Sequence, residues 1–180
     1  MSIHYAALLL IGALFSIDGR AQLLPPPGDG DIRAVYWELQ NEAEVWLTLE
    51  AKSAAGKPAP LLTFARHFTG KRPGDQSTDI EVRAYVGMMW APSVEFWLTL
   101  DDGDRIDLGV QGGASGLMSG SPSDYLSATL QIETVRRIAK ARRVAGKALG
   151  FDFELNESQR LAIDAFLERA LSENPLRLPR

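Results

Sequence analysis

The chain has 180 residues, a formal net charge of −4 and no cysteine. That charge is enough for solubility and too small to imply a polycation as partner. The lack of cysteine excludes disulfides, lipid attachment at Cys, a thiol nucleophile and Cys-based zinc sites, so packing alone must hold the fold.

Residues 6–17, AALLLIGALFSI, form an apolar run, followed by Gly19 and Ala21 as the small residues a signal peptidase admits. This order predicts a signal peptide over 1–21, cut between Ala21 and Gln22, although the leading region carries His4 and no Lys or Arg. A retained anchor is the lesser alternative. As a helix the run rises only about 18 Å, against a hydrocarbon core of about 30 Å. The expected location is therefore periplasmic or extracellular, with no membrane span after signal cleavage. Pro25, Pro26 and Pro27 with Gly28, Asp29 and Gly30 read as an extended tether over 22–30. A single soluble β-rich domain is expected over 31–180.

Within that domain IRAVYWELQ alternates loosely, whereas EVWLTLE alternates strictly. Val45, Leu47 and Leu49 face one way, and Glu44, Trp46, Thr48 and Glu50 the other, as a half-buried strand requires. Asn41-Glu42 suits the tight link of a hairpin. LLTFARHF reads as another strand. EVRAYVGMM and VEFWLTLD read as a second hairpin joined through WAPS, and Asp102-Gly103 turns the chain into RIDLGV. Glu44-Val45-Trp46-Leu47-Thr48-Leu49-Glu50 is echoed by Glu95-Phe96-Trp97-Leu98-Thr99-Leu100-Asp101. Arg33-Ala34 is likewise echoed by Arg83-Ala84. The echo predicts two similar hairpin units sharing an interior, because a lone hairpin cannot bury its apolar face.

The Gly/Ser-rich stretch 111–124 reads as an irregular loop, and YLSATLQI as a further strand. A helix is expected over 133–142, then a strand near 144–149, and FDFEL as a short strand. The last helix has Asn156 as cap, Gln159 at N3 and an apolar stripe of Ile163, Phe166, Leu167 and Ala170, with Pro175 beyond its end. The fold class that follows is mainly β, an antiparallel sandwich-like domain with a C-terminal helix packed on the sheet.

Four groups of residues carry candidate chemistry. Trp46 and Trp97 stand among Glu and Thr on the polar sides of the echoed strands, where an indole can stack on a sugar ring or other ligand; burial in the core is the competing reading. Arg136, Lys140, Arg143 and Lys147 would form one ridge if the helix ran that far, suited to anionic lipid or polymer. His67 is the sole histidine after the signal peptide, and with Ser115, Ser119, Ser121 or Ser123 of the Gly/Ser stretch, Ser115 foremost, could form a base–nucleophile pair. The stretch lacks the Gly-x-Ser-x-Gly elbow of hydrolases. Asp101, Asp102, Asp104 and Asp107 could hold calcium, but their spacing is not that of an EF-hand. No dinucleotide loop, P-loop or nucleic-acid motif is present, so no cofactor is expected. The expectation is a non-enzymatic envelope or secreted domain that binds an envelope protein, a glycan or anionic material. A small hydrolase built on His67 is the alternative.

Overall fold

The structure is a computed structural model and describes residues 28–53, 59–74, 79–86, 93–101, 103–110, 112–118 and 121–177. The expected signal peptide, most of the tether, and Asp102 lie outside the described residues.

The strict alternation of EVWLTLE becomes β2 (Glu42–Glu50), which pairs antiparallel with β1 (Ile32–Trp37). Asn41 closes this hairpin at φ 52°, a left-handed conformation that Asn tolerates, and its side-chain oxygen accepts from the Tyr36 hydroxyl at 2.7 Å. β3 (Leu61–Thr69) and β4 (Ile80–Val86) continue the sheet. The chain then leaves for a second sheet with β5 (Phe96–Leu100) and β6 (Asp104–Asp107). It returns to the first with β7 (Gly112–Met118) and β8 (Ser121–Leu130). After α1 (Ile132–Lys140), β9 (Val144–Ala148) and β10 (Phe151–Leu155) complete the second sheet, and α2 (Glu157–Ala170) closes the domain. The larger sheet has the order β1-β2-β3-β4-β8-β7 and the smaller one β10-β9-β5-β6, all pairs antiparallel.

The expected mainly β, sandwich-like class with a packed C-terminal helix is therefore present. Two details differ. β4 does not pair with β5; it lies between β3 and β8, and the hairpin that holds the second echoed block is β5–β6. The Gly/Ser stretch is no irregular loop, because Gly112–Met118 and Ser121–Leu130 pair along their length as a hairpin at the sheet edge. Backbone ladder bonds form there without help from large side chains, so composition concealed the strands.

Both sheets turn their apolar faces to one core. Val45, Leu47 and Leu49 of β2 and Phe96, Leu98 and Leu100 of β5 are all buried, as the echo predicted. Each fully buried Leu or Phe contributes roughly 1.5–3 kcal/mol relative to exposure. α2 packs on β2 and α1 through Ile163, Phe166, Leu167 and Ala170. Its start is a complete capping box: the Asn156 side chain accepts from Gln159 N at 2.9 Å, and Gln159 Oε1 accepts from Asn156 N at 3.1 Å. Gln159 Nε2 also donates to Glu50 O at 2.7 Å and to Asp29 at 3.1 Å, which ties the helix to β2 and to the segment read as the end of the tether. That segment is part of the domain, since Gly30 N donates to Thr48 O and Glu50 N to Asp29. At the other end of α2, Arg66, a core-facing residue of β3 only 2% exposed, donates Nη1 to Ala170 O at 2.6 Å. A cation at a helix C-terminus offsets the partial negative charge there. Among the described residues, no helix is long and apolar enough to cross a membrane.

Candidate functional site on the outward face of the larger sheet

Side chains that alternate away from the core gather on the other face of the larger sheet. β2 contributes Glu44 and Trp46, β3 Thr63, Ala65 and His67, β4 Glu81, Arg83 and Tyr85, and β8 Tyr125 and Ser127. Register aligns Trp46 with Ala65 and Ala65 with Glu81, so the fully buried Ala65 forms a low floor between an indole and a carboxylate. Trp46 itself is half-buried, neither a core residue nor freely exposed.

The polar centre of this face is a connected array. Arg83 donates Nε and Nη2 to the two oxygens of Glu81 at 2.8 and 2.6 Å, a bidentate pair. His67 Nε2 lies 3.1 Å from Glu81 and 3.6 Å from Glu44. Beyond Arg83, Tyr85 and Tyr125 pair across the strands with ring centroids 5.6 Å apart. Burial pushes the Glu81 carboxyl up, but hydrogen bonds from His67 and Arg83 and their charges prevail and hold it at about 2. His67 is raised above its ordinary value, first by the hydrogen bond to Glu81, against burial, and then by the charges of Glu44 and Glu81. Burial lifts Tyr85 as well. Nothing in the pattern of β4 alone announced this array, because its members come from three strands and meet only through register.

Glu44, His67 and Glu81 are metal-ligand types, yet both Glu81 oxygens already face a guanidinium, which would repel a dication. No group of three or more candidate ligands suited to a metal occurs among the described residues. Of the carboxylates expected to cluster, the three that are described take separate partners or faces. Asp101 accepts the backbone N–H groups of Arg142 and Arg143 at 2.7 and 3.0 Å, while Asp104 pairs with Arg137. Asp107, opposite Trp97 in register, is on the other face of β6 from Asp104.

The structure separates His67 from Ser115. Ser115 is on β7, three strands from β3, a spacing of about 14 Å. The strand order does not bring the expected base–nucleophile pair together. Ser119 of the same stretch lies outside the described residues.

Trp46 and Trp97 do not line one site either, since they stand on the outward faces of different sheets. Trp97 is half-buried, with the Arg105 guanidinium 4.6 Å from its ring centre in a cation–π contact.

The expected basic ridge is broken. α1 stops at Lys140, and beyond Ala141 the Asp101 carboxylate accepts the backbone N–H groups of Arg142 and Arg143, so Arg143 sits in the connection and Lys147 on β9. Arg136 pairs with Glu133, Arg143 with Glu154, and Lys147 lies 3.9 Å from both Glu95 and Asp152. An open groove of about 620 Å³ between α1 and the β5–β6 turn is lined by Arg136, Arg137 and Lys140, but also by Asp101, Asp104 and Glu133. Its charges balance.

No known protein family, no curated protein and no solved structure matches this chain.

Proposed function

We propose that this chain is a non-enzymatic binding domain that works after export, in the periplasm or outside the cell, and receives a glycan on the outward face of its larger sheet. The observation that carries this reading is Trp46, half-buried beside an array of Glu44, His67, Glu81 and Arg83. A sugar ring presents an apolar C–H face and a rim of hydroxyls. An indole satisfies the first, and carboxylate, imidazole and guanidinium groups the second. The partly paired basic residues make anionic lipid or polymer a weaker partner, since each cation–carboxylate pair must open before an anion gains from it.

The test is tryptophan fluorescence of the purified chain against soluble oligosaccharides, with chitohexaose among them, and sedimentation with anionic vesicles. Binding of an oligosaccharide that weakens about tenfold in Trp46→Ala supports the reading, since stacking contributes about 0.5–1.5 kcal/mol beyond area burial. Trp97→Phe, on the other sheet, should leave binding unchanged. Vesicle binding without oligosaccharide binding would favour the anionic-surface partner instead.

A further inference from the structure

His67 stands between two carboxylates from different strands. Its Nε2 faces Glu81 of β4 on one side and Glu44 of β2 on the other, so one ring nitrogen on β3 spans three adjacent strands. A neutral imidazole offers this pair at most one hydrogen bond. Only the imidazolium attracts both carboxylates by charge as well.

We propose that His67 is a proton-operated latch of the outward face: protonated, it ties Glu44 to Glu81 and cancels charge, and deprotonated, it keeps at most one hydrogen bond to the pair and restores the negative charge with which the face meets the hydroxyl groups of a bound glycan. The consequence for binding rests on the function proposed above; the latch itself does not.

The groups facing the ring set the direction. Glu44 from β2 and Glu81 from β4 favour its proton, and Arg83 from β4 opposes it, with its guanidinium committed to both Glu81 oxygens. Glu42 precedes Glu44 on the same outward set, and Asp79 leads into β4. Acidic groups outnumber basic ones around the ring, in line with a proton held above the ordinary histidine value of about 6.5.

The experiment follows the His67 ring and the Glu44 and Glu81 carboxyl carbons by NMR in the isotope-labelled full chain, from about pH 5 to about pH 9. His67→Gln identifies the His67 signal against His4. The expected result is an inflection of His67 above about 6.5 that reappears in both carboxyl carbons and vanishes from them in His67→Gln. Titration at or below that value, or a Glu44 signal blind to it, overturns the latch. Chitohexaose affinity should rise about tenfold between about pH 5.5 and about pH 8.5 in the parent and stay level in His67→Gln. A rise that persists in His67→Gln also overturns the latch. If chitohexaose binds at neither pH, the glycan reading fails, and the carboxyl signals alone decide the latch.

Discussion

Gly146 of β9 lies between Leu98 of β5 and Phe153 of β10, and a methyl group there has no room. A Cβ would fall 2.6 Å from the Trp97 carbonyl oxygen and 2.8 Å from both Leu98 Cδ2 and Phe153 Cζ. The leucine methyl and the phenyl tip can rotate aside. The carbonyl oxygen moves only if the β5 backbone moves, and β5 is hydrogen-bonded on both sides. Overpacking costs roughly 1–3 kcal/mol, and a backbone contact puts Gly146→Ala near the upper figure, about 3 kcal/mol. Against a total of about 5–15 kcal/mol that is a large share. Urea denaturation should show a lower midpoint with unchanged slope, and thermal melting a fall of about 6–12 °C. The sign alone is informative, because glycine in an open strand position is about 0.5–1 kcal/mol worse than alanine. Adding Leu98→Ala should not restore stability, since the carbonyl contact stays. A Gly146→Ala protein within about 0.5 kcal/mol of the parent refutes this packing argument.

Three further outcomes are expected. Arg66→Ala strips the Ala170 carbonyl of its donor and opens a cavity, a loss of about 3 kcal/mol in urea denaturation, whereas Arg66→Met, which keeps most of the volume, should lose about half as much; equal losses would deny a role to the volume. Asn156→Ala removes the cap of α2 and should cost about 1 kcal/mol, with Asn156→Asp restoring most of it; a neutral Asn156→Ala would mean that Gln159 holds the helix start alone. Glu81, held at about 2, stabilises the fold fully above its unfolded value of about 4.5, and that contribution fades as pH falls through about 2. Glu81→Gln should therefore flatten the acid limb of a urea-midpoint profile, and an unchanged limb would contradict the His67–Glu81–Arg83 array.

Patterns with a strong period were legible. The twofold alternation of β2 and β5 and the capping box of α2 were readable because each is encoded within a few neighbouring residues. β7 was not, because Gly112-Gly113-Ala114-Ser115-Gly116 has no apolar face to read and becomes a strand only by pairing with β8. The division of β4 and β5 between sheets was equally hidden, since adjacency in sequence resembles adjacency in a hairpin. At the candidate site Trp46 was visible as an indole on a polar side. Glu44 was visible beside it in the same alternation, but His67, Glu81 and Arg83 were not, because they belong to other strands and converge on it only when three strands fall into register. The end of α1 was misjudged for a similar reason: the residues after it bond to Asp101, about forty positions away in the chain.

The order in which the chain visits its two sheets has a consequence for how the molecule comes apart. β5–β6 is synthesised between strands of the larger sheet, and β7–β8–α1 between the two hairpins of the smaller one. Neither sheet can be completed, or cut away, without severing the other. Thermal or chemical denaturation should accordingly pass through a single transition, without a surviving half, and the many distant pairings make folding slow relative to a helical protein of this size.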